Sequence, residues 1–238
     1  MEYIKNLIKS LYNYYCKEEQ KVLDLNEKLI SEYPTKDIYY LGRVLPTTKQ
    51  KINVPVNVLI TSNDLTIKND LISWKLYQTN EDPETLIPKI YKAYMQKHYK
   101  YKYDSENWNG LNELWEFPFE LYEKYGAGKW EADCDSHAIA LVSYLRCAGI
   151  LAGYVWVVVG DCKLGGHATL YAYGKDGKFH HLNSTGATYF NSVSEYPTHE
   201  DAQLGNDAMG ISNVWLSFND LVSRSEFNGE KIGGILIK

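Results

Sequence analysis

The chain has 238 residues, 45% apolar and 23% charged, a globular balance that excludes wholesale disorder. A formal net charge of −5 argues against a broad basic footprint for nucleic acid, and four cysteines in this length exclude a disulfide scaffold. Tyrosine is the outlier: 21 residues, against 6 Trp and 6 Phe, which predicts a core with hydroxyls to satisfy and a groove lined by rings.

Taken in chain order, the N-terminus carries Lys5, Asn6 and Lys9 among its apolar positions and lacks the apolar run of a signal peptide. No stretch approaches the roughly 18 uncharged apolar residues of a membrane span. A soluble, cytoplasmic protein with free thiols and no membrane partner is therefore expected. Ile4, Leu7, Ile8, Leu11 and Tyr15, then Val22, Leu23, Leu25 and Leu29, have helical spacing, with Pro34 as a stop. Ile52, Val54, Val56, Val58 and Ile60 alternate, predicting a strand that Pro55 places at a sheet edge. Asp64–Tyr77 reads as a short helix. Asp82-Pro83-Glu84 is a helix start that runs from Leu86 to about Lys102. Trp108–Tyr125 is aromatic-rich and partly helical, broken at Pro118 and closed by Gly126 and Gly128.

The second half is more regular. Cys134, Ala138, Leu141, Leu145 and Ala148 form one helical stripe, with Gly149 as its C′ residue. Leu151–Gly160, His167–Gly174 and Lys178–Ser184 read as three successive strands. A helix followed by consecutive strands is an α+β signature with antiparallel pairing. The reading is one domain: a mainly helical N-terminal part over 1–125, a core over 126–190 and a C-terminal extension over 191–238.

The chemistry concentrates in that core. Cys134 opens a helix, where unpaired N–H groups and the macrodipole favour a thiolate. A lone cysteine is more often a packing residue. His167, directly after Gly165-Gly166, and Asn183, at the end of the next strand, supply a base and a group to orient it, the two further roles a cysteine nucleophile needs. His137, one helical turn after Cys134, is a rival base. A metal reading on Cys162, His167, His180 and His181 lacks any ligand spacing of a known kind, and no cofactor is called for. Cys162 reads as a surface thiol, and Cys16 and Cys147 as packing residues.

These blocks carry a resemblance. Asp133-Cys134-Asp135, the helix running into Leu145-Arg146-Cys147-Ala148-Gly149-Ile150, Gly166-His167-Ala168, and Phe179-His180-His181-Leu182-Asn183-Ser184-Thr185 are similar, in that order, to the transglutaminase-like superfamily of papain-type cysteine enzymes. The match spans about Ala132–Thr185. The resemblance implies an α+β papain-like core with the nucleophile helix on an antiparallel sheet, under an added N-terminal helical layer. It implies a catalytic Cys134, His167 and Asn183 acting on an amide or ester carbonyl of a protein or peptide, with hydrolysis expected over amine transfer. A catalytically silent binding or assembly module on the same fold is the alternative. Oligomeric state is left open.

Asn183 stands where most of the family has Asp. An amide still accepts the imidazole N–H but supports the imidazolium less. Leu151 and Gly153 replace a usual Pro and Arg. Glu131, Asp133 and Asp135 crowd Cys134 and raise its thiol pKa, so the thiolate should depend on a protonated His167. In the family the oxyanion hole takes the nucleophile's N–H and an upstream side chain. Gln96, Trp108, Asn109 and Trp115 are candidates for the second, and Trp130 for the cleft wall.

Strand alternation supplies a geometric condition. A two-residue Asp176-Gly177 turn would set His167 and Asn183 on opposite faces of the sheet. A three-residue Lys175-Asp176-Gly177 loop, with Gly177 left-handed, sets Asn183 opposite Thr169 and on the face of His167. His181, Tyr171 and Tyr173 share that face, with His181 in the cleft, and His180 points away.

Overall fold

A computed structural model describes residues 20–21, 23–29, 31, 35–44, 50–108, 114–225, 231–232 and 235–237. The chain is mixed α and β. Residues 1–19 and Pro34 lie outside the described residues, with most of the expected N-terminal helix; residues 23–29 are helical.

The central sheet is built from β5 (Val155–Cys162), β6 (Gly165–Tyr173), β7 (Phe179–Leu182), β8 (Asn213–Phe218) and β9 (Ser223–Arg224). Its order is β7-β6-β5-β8-β9 and every pairing is antiparallel. The C-terminal segment thus contributes β8, which lies beside β5 in the sheet interior. A second antiparallel sheet joins β1 (Ile38–Val44) and β2 (Lys51–Pro55) to β10 (Lys231–Ile232) and β11 (Ile235–Ile237) in the order β10-β11-β1-β2. β3 (Tyr99–Tyr101) and β4 (Trp130–Ala132) form a short parallel pair.

β2 is the edge strand that Pro55 predicts, but the alternation beyond it is a single 3-10 turn, Val56–Leu59. There Val56, Leu59 and Ile60 enter the core, which strand geometry would not allow. Two helices start as their caps dictate. Asp64 accepts from the N–H groups of Thr66 and Ile67 before Leu65–Ser73, and Asp82 from Glu84 before Pro83–Lys97. The latter ends at Lys97, and β3 follows. Pro118 opens the helix Pro118–Tyr125 instead of breaking one, because its missing N–H is one of the helix's unpaired donors anyway.

The helix Cys134–Cys147 is the spine of the fold. It is not amphipathic, as one apolar stripe suggests: every residue from Asp135 to Leu145 is buried. The reason is its position. β5 and β6 cover one side, and the helices Leu65–Ser73, Pro83–Lys97 and Pro118–Tyr125 cover the others. Val157, Val159, Ala168, Leu170 and Ala172 face it in the main core. Trp156, Val158 and Tyr171, offset by one residue, face the other way and form a second cluster with Cys162 and Ile211. Cys162 is therefore a packing residue and not a surface thiol.

The β6–β7 connection has the predicted register. Leu170 pairs with Leu182 and Tyr173 with Phe179, and the Gly174 N–H donates to the Lys178 carbonyl at 2.9 Å. Gly177 is left-handed, at φ 80°. Arg43 of β1, fully buried, pairs with Glu120 and donates from Nε to the Trp115 carbonyl, joining the second sheet to the Pro118–Tyr125 helix. No helix among the described residues is long and apolar enough to cross a membrane.

Candidate active site

Cys134 sits where β4 turns into the spine helix. β4 is held by β3, with Ala132 opposite Tyr101 and the Lys102 N–H on the Ala132 carbonyl at 2.9 Å. Asp133 takes the extended N-cap conformation, and Cys134 is the first helical residue, half-buried. Its carbonyl lies 3.2 Å from the hydroxyl of Ser184, which also reaches the Ala168 carbonyl at 2.7 Å. Ser184 follows Asn183, and Ala168 follows His167. One buried hydroxyl therefore ties the Cys134 backbone to the neighbours of both other candidate residues.

His167 and Asn183 share a face, and Nε2 of His167 lies 3.3 Å from Oδ1 of Asn183. The same Oδ1 accepts the Thr185 N–H and the Thr185 hydroxyl, each at 3.0 Å. A backbone N–H can only donate, so this atom of Asn183 is the oxygen, and His167 must be the donor through Nε2–H. The neutral tautomer follows: the proton is on Nε2 and the lone pair on Nδ1. Burial, and then the charge of His181, hold the His167 imidazole down to about 4, against the opposing pull of Asn183 and Asp207. On those contributions alone His167 is neutral near neutral pH. A neutral imidazole can serve Cys134 as a proton acceptor but not as a resting counter-charge.

The loop after Asn183 is held by tyrosines. The Tyr91 hydroxyl lies 2.9 Å from the Asn183 carbonyl and 2.5 Å from that of Gly186, and the Tyr99 hydroxyl donates to Thr185 at 2.7 Å. Part of the tyrosine excess is explained here: a buried ring at Tyr91 and a half-buried one at Tyr99, with hydroxyls spent on the loop that carries Asn183. A Cβ at Gly186 would lie 2.8 Å from Asn183 Nδ2, so a side chain there would displace the amide. Gly186→Ala is expected to turn the Asn183 amide. A 15N-labelled spectrum should show the Asn183 side-chain NH2 and the Thr185 N–H moving, with Tm lowered by a few degrees.

The acidic surround is partly relieved. Glu131 is gripped by Lys100 at 2.6 Å and Lys102 at 2.8 Å, whose hydrogen bonds push its carboxyl down to about 2. The carboxylate oxygens of Asp133 and Asp135 and Cys134 Sγ lie within 4.8 Å of one another, and Asp135 accepts from the Ser136 hydroxyl at 3.1 Å. Tyr101 is next to this group. Burial, then the charges of Cys134 and Asp133, raise its phenol.

Other candidates fall away from the site. His137 is fully buried: Tyr94 donates to its Nδ1 at 2.7 Å, and its Nε2 donates to the Lys100 carbonyl at 3.3 Å. Burial pushes it down to about 4, and neither nitrogen is left for Cys134. Trp130 does not line the cleft: it is 0% exposed, stacks on His98 and donates its indole N–H to Gly126. Trp115 is a core residue stacked on Tyr40 and Phe218. Trp108 donates to the buried Glu116 at 2.8 Å under the ammonium of Lys124, and Gln96 is exposed, its carbonyl accepting from Lys129. Asn109 lies outside the described residues. His181 shares the face of Asn183 as predicted, but it is 3% exposed and bonded to Thr169 and Asp207, so it does not open to the cleft. His180 points away, toward the Tyr196 carbonyl and Asp176. The sequence assigns Ser184, Thr169 and Asp207 no site role; Ser184 stands beside Asn183 and Thr169 opposite it in the expected register, whereas Asp207 carries no signal.

No protein-family model matches the chain, and no curated protein matches it. Among solved structures, it is similar to Legionella pneumophila LapG at 16% identity and TM-score 0.46, over 72% of this chain and 86% of that one. The EGTA-treated form of that protein gives 16% identity and TM-score 0.44, over 75% and 87%. The calcium-bound form gives 15% and 0.45, over 75% and 92%.

Proposed function

We propose that the protein is a cysteine-dependent acyl-transfer enzyme of transglutaminase-like type, most simply an amide or peptide hydrolase. Cys134 is the nucleophile, His167 the base and Asn183 the group that orients it. The observation that carries this reading is the tautomer of His167. Asn183 Oδ1, fixed by two donors from Thr185, takes the Nε2 proton and leaves Nδ1 as the basic nitrogen. A base oriented by a third group, and a cysteine at a helix start joined to both strands through Ser184, supply the parts that nucleophilic acyl transfer requires.

The reaction then balances as follows. Cys134 Sγ bonds to the carbonyl carbon while its proton passes to His167 Nδ1. The carbon–nitrogen bond breaks, and the leaving amine takes that proton. Water attacks the thioester, giving one proton to Nδ1, and the carbon–sulfur bond breaks. The proton returns to Sγ, and the acid is released. The backbone N–H of Cys134 is the first donor to the oxyanion. An amine in place of water gives transfer instead of hydrolysis by the same steps.

A mixed peptide library, analysed by mass spectrometry, tests the reading. New termini are expected with the wild type and none with Cys134→Ala. Added primary amine should be incorporated only if transfer competes. Two features favour the silent-module alternative: Asn183 in place of the family's usual Asp, and the carboxylates of Asp133 and Asp135 beside Cys134. No cleavage and no amine incorporation at any pH would decide for it.

A further inference from the structure

A hydrogen-bonded chain, buried from His181 onward, runs from the C-terminal segment to the proposed site. Asp207 Oδ2 lies 2.5 Å from His181 Nδ1. On the other side of the ring, His181 Nε2 lies 3.0 Å from Thr169 Oγ1. The same Oγ1 accepts the Ser184 N–H at 3.1 Å. Ser184 then reaches the carbonyls of Ala168 and Cys134 through its hydroxyl. Tyr171 stacks on His181 at 5.4 Å, and the Tyr171 hydroxyl accepts the Ile211 N–H at 3.0 Å, which pins the segment after Asp207 to the sheet.

The geometry points to Asp207, His181 and Thr169 as positioning residues for the acyl-transfer site. They hold Ser184, and through it Cys134 on one side and the Asn183–His167 pair on the other, in a fixed relation. This inference rests on the reading of Cys134, His167 and Asn183 proposed above.

Three features separate this chain from incidental core hydrogen bonding. First, Thr169 and Ser184 are fully buried and His181 nearly so, so no water substitutes for a lost partner. Second, each link fixes the next. A carboxylate can only accept, so His181 donates Nδ1–H to Asp207, which turns Nε2 toward Thr169. Asp207 is held ionised for this: burial opposes it, but the His181 hydrogen bond and charge keep the carboxyl below its ordinary value. Third, the chain reaches the carbonyl of the nucleophile together with those of Ala168, beside His167, and Leu182, beside Asn183. His167, Tyr171 and Asp207 surround His181, and His199 lies edge-on to Tyr171.

The test is the rate of Cys134 alkylation by iodoacetamide, measured from pH 4 to 9 on the full chain, with mass spectrometry to assign the labelled cysteine. Thr169→Val keeps the shape and removes the hydroxyl. It is expected to slow Cys134 labelling at neutral pH by about tenfold, the scale of a displacement well below 1 Å. Thr169→Ser should restore the rate. Asp207→Asn, which keeps an acceptor but removes the charge, should give a smaller loss and displace the pH midpoint. It also serves if Thr169→Val does not fold. His167→Ala is run alongside. If it slows labelling while folded Thr169→Val and Asp207→Asn follow the wild-type profile, the site reading stands and the positioning chain is overturned. A Thr169→Ser variant as slow as Thr169→Val also overturns it, because the hydroxyl would then restore nothing. If His167→Ala changes nothing, the site reading fails and the inference fails with it.

Discussion

Asn183→Ala is expected to slow turnover by roughly 10²–10⁴-fold, the range seen when the group orienting a catalytic imidazole is lost. The argument is one of tautomer and orientation. Without Oδ1, Nε2–H of His167 loses its acceptor, and the Thr185 N–H and hydroxyl lose theirs. The proton can then move to Nδ1, which removes the lone pair that must receive the Cys134 proton. Asn183→Asp makes the complementary prediction. It keeps the acceptor and adds a negative charge facing Nε2–H. The His167 imidazole should titrate above its present value of about 4, and the acid limb of the rate profile should move up with it. Steady-state rates on a cleaved peptide measure both. An Asn183→Ala protein with unchanged turnover would mean that Asn183 does not orient the base.

Stability should peak near pH 6.5 and fall on both sides. His167 and His137 titrate near 4 in the folded chain, against an ordinary 6.5, because both are buried. Between those values the unfolded chain binds protons that the folded chain refuses, so stability falls as pH falls. Glu116 has the opposite sign. Burial, and then the charge of Asp104, raise its carboxyl from 4.5 to about 8, so the folded chain keeps a proton that the unfolded chain releases. That contribution is lost as pH rises from 4.5 to 8. From pH 6.5 down to 4.5, two protons oppose one, and the net loss is about 3 kcal/mol at roughly 1.4 kcal/mol per proton and pH unit. From 6.5 up to 8, Glu116 alone costs about 2 kcal/mol by the same conversion. Urea denaturation at pH 4.5, 6.5 and 8 measures both limbs. Glu116→Gln should flatten the alkaline one and steepen the acid one to about 5 kcal/mol, because the opposing proton is gone. A stability that rises steadily from pH 6.5 to 8 would contradict the assignment of a buried, protonated Glu116.

Much of the candidate site was legible because it is local. The stripe behind Cys134 marks the helix, and Gly177 and strand alternation fix the register that brings His167 and Asn183 to one face. What the sequence could not disclose depends on distant pairing. β1 needs β11 from the other end of the chain, so no local pattern announces the second sheet. The alternation at Val56 and Val58 imitates a strand that Pro55 ends. His181 reads equally as a cleft residue or a buried one until Asp207 arrives from beyond β7. Trp115 and Trp130 have the composition of a groove wall, yet both are consumed by the core. A large ring is placed by the volume around it, which spacing does not encode.

The central claim is that His167 acts as base to Cys134. The rate of Cys134 alkylation between pH 4 and 9, in the wild type and in His167→Ala, tests it most directly. The account predicts a wild-type rate that rises at acid pH as the His167 imidazole loses its proton. That rate should stay above the rate of a free thiol, with its ordinary pKa of about 8.5, up to neutral pH. In His167→Ala the acid limb should vanish, leaving a single rise at or above the ordinary thiol value, as the flanking Asp133 and Asp135 require. Superimposable profiles for the two proteins would contradict it.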